Sequence, residues 1–140
     1  MKISGTEQDE EIYFAFSAKL RIFGEISSPE QISAHLNLQP TSTHHKGDKK
    51  GPRSAGFRHD MWSYSPTLDE SEPLGKHIDA LWGKLKPHKK YLLGLKKSLT
   101  VDVFLGYRSN SGTAGFEVPC SSLEMFTELE IPFGVSVIIT

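Results

Sequence analysis

Between Ile12 and Phe23 the residues Phe14, Phe16, Ala18, Leu20 and Ile22 alternate with Ser17, Lys19 and Arg21. This is the two-residue period of a strand that buries one face. Gly24 ends the run, and Ser28-Pro29-Glu30-Gln31 then reads as a helix start: a serine cap, a proline at the first helical position and a glutamine three residues past the cap. Only Ile32 and Leu36 share a face before Pro40 limits the helix, so it is short. A short strand is expected near Thr43 to Lys46, and alternation returns from Met61 to Ser65 with Trp62 and Tyr64 on one side.

From Leu74 the period changes. Leu74, Ile78, Leu81, Trp82 and Leu85 fall at i, i+4, i+7, i+8 and i+11, the stripe of an amphipathic helix. Pro87 ends or kinks it, and Tyr91, Leu92 and Leu95 predict a second short helix with Lys84, Lys86, Lys89, Lys90, Lys96 and Lys97 toward solvent. Leu99, Val101, Val103, Leu105 and Tyr107 alternate as a strand, Ser109 to Gly112 reads as a turn, and Phe116 and Val118 predict a short partner strand. Ser121-Ser122-Leu123-Glu124 repeats the capping pattern, with Ser121 as cap, Glu124 reaching back, and Leu123, Phe126 and Leu129 turned toward the core. Val135, Val137 and Ile139, with Ile138 beside them, predict a last strand apolar enough to lie inside the sheet.

The resulting order, β-α-β-β-α-β-β-α-β, predicts an α+β fold of the ferredoxin-like kind, a largely antiparallel sheet with helices on one face. One domain over residues 1–140 is expected, with residues 1–11 as a flexible lead-in. A chain of 140 residues buries about two thirds of its unfolded surface, so no metal or disulfide is required for folding. Sixteen Lys and Arg against 17 Asp and Glu leave a net charge of -1, which favours neither a nucleic-acid nor a membrane partner for the molecule as a whole. The single cysteine, Cys120, excludes an internal disulfide and is expected in the core. No apolar run follows the early lysine as in a signal peptide, and none approaches the ~20 residues of a membrane span, so a cytoplasmic protein is expected.

Charge matters locally. Residues 41–60 lack apolar periodicity and hold Lys46, Lys49, Lys50, Arg53 and Arg58, with His44, His45 and His59 against Asp48 and Asp60. Gly47, Gly51, Pro52 and Gly56 make Lys49 to Ala55 an exposed loop. Lys46-Gly47-Asp48 could turn its amides toward a phosphate, although the spacing is not that of a P-loop. Adjacent His44 and His45 on a strand point to opposite faces, which argues against a shared metal ion. No cofactor is expected. Phe57 and Trp62 are the aromatic groups placed to stack on a partner, and His77 and His88 are expected at the surface.

Ser28-Pro29-Glu30-Gln31-Ile32, Leu36-Asn37-Leu38-Gln39-Pro40-Thr41, His45-Lys46-Gly47-Asp48 and Trp62-Ser63 together resemble the DUF4279 family of mostly bacterial proteins. The likeness runs over nearly the whole chain and departs from the family pattern at Asn37, where a glycine is expected, and at the end of the last strand, which lacks an aromatic. The family carries no assigned activity. Small single-domain families of this kind include immunity proteins of bacterial toxin systems. The expectation is therefore a binding module whose partner is a protein, held by His45, Lys46, Gly47, Asp48, Lys49, Lys50, Arg53, Phe57 and Trp62. The alternative is an anionic or phosphorylated small molecule gripped by the same His, Lys and Asp groups, with or without catalysis by a histidine base.

Overall fold

The computed structural model describes residues 11–113 and 115–140; the expected lead-in falls mostly outside them. β1 (Phe14–Gly24) leads through α1 (Pro29–Leu36) to the short β2 (Ser42–His44) and then β3 (Asp60–Tyr64). The long α2 (Leu74–Leu85) follows, then a single 3-10 turn at Lys86–His88 where Pro87 bends the chain, and α3 (Lys89–Leu95). β4 (Thr100–Ser109), α4 (Glu124–Leu129) and β5 (Phe133–Ile139) complete the fold. One five-stranded sheet results, in the order β2-β3-β1-β4-β5. β1 pairs antiparallel with β3 and β4, β2 pairs antiparallel with β3, and β5 alone runs parallel to its neighbour, β4.

The two-residue period sorts the sheet into two faces. Ala18, Leu20 and Ile22 of β1, Trp62 of β3, and Val101, Val103 and Leu105 of β4 are buried under Ile32, Leu36, Leu74, Ile78, Leu81, Leu85, Met125 and Leu129. Each such aliphatic side chain contributes roughly 1.5–3 kcal/mol over exposure. The other face carries Lys19, Arg21, Phe23, Asp102 and Phe104, only partly covered. α1 begins as its sequence predicts: Gln31 N donates to the Ser28 hydroxyl oxygen at 3.3 Å, with Pro29 at the first position. It ends at Asn37, whose φ of 54° is left-handed. A glycine is the expected residue in this conformation, and asparagine is the next most tolerant.

Several expectations are corrected. Residues 116–118 form no strand: both edges of β4 are already taken, by β1 and β5, and Phe116 instead sets its ring 5.3 Å from that of Tyr107. The order therefore has one strand fewer than predicted. β5 is an edge strand and not an internal one. Ser121 caps nothing; a 3-10 turn over Cys120–Leu123 precedes α4, and the Glu124 carboxylate accepts from Trp82 Nε1 and Lys86 Nζ. Cys120 is exposed. His77 is buried at 3% exposure beside the Asp69–Glu72 turn, and burial holds its pKa below the usual 6.5.

Candidate functional site

β2 pairs only with β3, His44 standing opposite Met61 and Thr43 opposite Trp62. Beyond His44 the two chains stay together as a narrow hairpin extension. Gly47 N donates to Phe57 O and Phe57 N to Asp48 O, both at 2.9 Å, and Lys49 bridges Gly56. The tip closes where Gly51 N donates to the Ser54 hydroxyl at 3.0 Å. Two glycines permit this approach: Gly47 has a φ of 93°, and a Cβ on Gly56 would lie 2.7 Å from Gly47 O.

Two carboxylates fasten the extension. Asp60 Oδ1 accepts from Lys46 N and Oδ2 from Ile26 N, both at 2.8 Å, and these amides hold its pKa below the usual 3.8. Asp48 Oδ2 accepts from His45 N at 2.9 Å. His45 itself is 66% exposed at its side chain, with Nδ1 at 3.9 Å from Asp60 Oδ1. The amides of Lys46, Gly47 and Asp48 are all engaged within the loop, by Asp60, Phe57 O and His45 O. An anion-binding nest, which needs free amides, is therefore not formed there.

On the helix-free face this extension meets the sheet. The His44 and Phe57 rings stack with centroids 3.5 Å apart, and Phe23 lies 6.2 Å from His59. Arg21 makes a two-pronged ion pair with Asp102, Nε to Oδ1 at 2.8 Å and Nη2 to Oδ2 at 2.7 Å. The hydrogen bond to Asp102 raises the arginine pKa, so its charge is permanent. Its guanidinium sits 4.6 Å from the Phe104 centroid and 5.4 Å from that of Phe23. Arg21, Phe23, His44, Phe57, Arg58, His59 and Met61 line a hollow of about 270 Å³. It presents aromatic surfaces with the Arg21 and Arg58 guanidiniums and two imidazoles around them, a combination that accepts anionic and planar groups. A larger open hollow of about 590 Å³ lies on the other side of β2 against α1, but only His45 of the expected residues reaches it.

The expected residues divide accordingly. Lys46, Lys49, Lys50 and Arg53 are exposed on the extension and make no ion pair among the described residues. Gly47 and Asp48 shape the loop. Phe57 is half-buried at the hollow. Trp62 is fully buried, its indole N–H donating to Ser33 Oγ at 3.0 Å, so it offers a partner no surface. Arg21, Phe23 and Phe104 were not among the expected residues. Their signal was present: Phe23 and Phe104 are aromatics on the polar phase of otherwise alternating strands. Among the described residues no three His, Cys, Asp or Glu side chains come together as a metal site, and no helix is long and apolar enough to cross a membrane.

Neither a curated protein nor a solved structure matches this chain. The model of one family, the domain of unknown function DUF4279, matches residues 11–139, which takes in the whole sheet, every helix and the hairpin extension, and the protein belongs to that family.

Proposed function

We propose that the protein is a small intracellular binding module whose partner is a protein with an acidic docking surface. The observation that carries this reading is the convergence of aromatic and cationic side chains at the 270 Å³ hollow where the basic extension joins the open face of the sheet. Lys46, Lys49, Lys50 and Arg53 supply long-range attraction on the extension, which speeds encounter and selects acidic partners. Phe57, Phe23 and Arg21 supply the packed contact, the residue types that dominate interface energies. Masking of a toxin's acidic surface, as an immunity protein does, is one concrete form of this function. Beneath the hollow we read β2-β3-β1-β4 as a ferredoxin-like core to which β5 is added, since β1 lies between β3 and β4 as interleaved βαβ units require.

The anionic small-molecule reading ranks lower, because Asp48 and the Lys46-Gly47-Asp48 amides serve the loop itself. Affinity capture from the native cell compares the wild type with K49A/K50A/R53A and with F57A. A protein held by the wild type at low salt, released by high salt and absent from both variants supports the proposal. Equal capture by all three overturns it. A thermal-shift screen with inorganic phosphate and nucleotides tests the lower-ranked reading, since a ligand at 100 times its Kd raises stability by roughly 2.7 kcal/mol.

A further inference from the structure

The opposite edge of the sheet has a different character. β5 spans seven residues, Phe133–Ile139, and no strand among the described residues pairs with its outer side. Edge strands are ordinarily protected from self-association by lysine, proline, bulges or a covering element. β5 has no charged residue, and neither does any position from Ile131 to Thr140. Phe133, Val135, Val137, Ile138 and Ile139 are 44%, 40%, 55%, 51% and 48% exposed. α4 reaches only the start of the strand, where the Phe126 ring lies 4.8 Å from Phe133.

The exposure is concentrated. Of the ten exposed large apolar residues described, these are five; Ile12, Tyr13, Phe14 and Phe116 line one hollow together, and Leu68 belongs to neither group. Continuity is explicit: Val137 pairs with Tyr107, whose ring meets those of Phe116 and Phe14 at 5.3 and 6.5 Å. Tyr13 also reaches the end of β5, its hydroxyl 2.7 Å from Thr140 Oγ1.

We infer that β5 is the interface with a second copy of this chain, paired antiparallel about a two-fold axis at Ser136 to make one ten-stranded sheet. The pattern is self-complementary, as a two-fold interface demands. Centring the pair on Ser136 sets Phe133 against Ile139 and Val135 against Val137 on the helix side, and Gly134 against Ile138 on the open side. Every large apolar side chain of β5 then meets an apolar residue or glycine, and no like charges face each other. Seven residues at about 3.3 Å give an edge about 23 Å long, and a depth of roughly 20 Å through sheet and helices gives on the order of 450 Å² per copy. A stable interface needs about 800 Å² per partner, so the edge contact by itself predicts a dimer of low affinity, populated as concentration rises.

Light scattering and sedimentation of the full chain from low to high micromolar concentration test this. The wild type is expected to approach twice the 15.6 kDa chain mass as concentration rises. Val137→Lys, at an exposed position, is expected to keep the wild-type circular dichroism and stay at the single-chain mass throughout. Ser136→Cys in a Cys120→Ser background is expected to form an interchain disulfide on mild oxidation, because residues opposite each other on antiparallel strands hold their Cβ atoms about 4.5–5.5 Å apart. A wild type that is monomeric at every concentration overturns the inference, whether a foreign strand or the first ten residues cover the edge. So does a dimer that Val137→Lys leaves intact, or one that Ser136→Cys fails to cross-link.

Discussion

The two edges of this sheet solve the same problem in opposite ways. β2 is three residues long, and beyond it the chain departs into a hairpin extension set with Lys46, Lys49, Lys50 and Arg53. Its free backbone is short, and like charges discourage a second copy from pairing there. β5 is more than twice as long, uncharged and apolar on both faces. One edge is basic and the other apolar, which is the basis for proposing an acidic partner at the first and a second copy of the chain at the other. Solvation decides the difference: an exposed lysine gains little from a neutral neighbour, whereas an exposed valine or isoleucine is stabilised by any apolar surface that covers it.

The sharpest way to break this contrast is at Trp62. If the β2 side drew its aromatic anchor from Trp62, Trp62→Ala would alter binding and leave stability within about 0.5 kcal/mol, as ordinary surface changes do. Buried against α1 and bonded to Ser33, it is instead expected to cost about 3–5 kcal/mol in a denaturant melt. A change of about 1–3 kcal/mol is expected for Gly56→Ala, because the new Cβ meets the backbone of Gly47. Hydrogen exchange should show the Gly47 and Phe57 amides losing protection while β1 keeps its own. Uniform loss over the sheet would mean that the extension is not a separable unit.

Asp60 makes the β2 side sensitive to acid. Its folded pKa lies below the ordinary 3.8, so its contribution is complete above that value and is lost as the pH falls through the lower folded value. Thermal melts of the wild type and Asp60→Asn should therefore differ at pH 7 and converge below the ordinary carboxylate range. A gap that is constant with pH would remove the two amide hydrogen bonds from the account. Smaller still, alanine at Lys49, Lys50 or Arg53 is expected to move stability by no more than about 0.5 kcal/mol each, leaving any effect on capture attributable to contact. Asn37→Gly, at the end of α1, is expected to stabilise by up to about 1 kcal/mol through relief of the left-handed backbone, measured by chemical denaturation.

The hollow at the β2 edge was half legible. The basic residues and Phe57 stand in one segment and are visible as a composition change. Arg21, Phe23 and Phe104 come from β1 and β4, and nothing local says that those strands carry their polar phase to the same open face. Phe23 and Phe104 were readable as aromatics out of phase, yet Arg21 became part of the site only through Asp102, 81 residues away.

By itself the sequence determined the start of α1, the face that β1, β3 and β4 bury, the bend at Pro87 and the family to which the chain belongs. Those follow from interactions within a few residues: a cap bonds its own helix, and a two-residue period assigns a side whatever the neighbours are. Tertiary structure alone decided which strands became edges, and hence that Trp62 is hidden, that residues 116–118 cannot pair with β4, whose two sides are taken by β1 and β5, and that the apolar β5 is exposed. An apolar strand has the same pattern inside a sheet and at its margin, because neighbours are set by pairing across the fold and not by the order of residues along it.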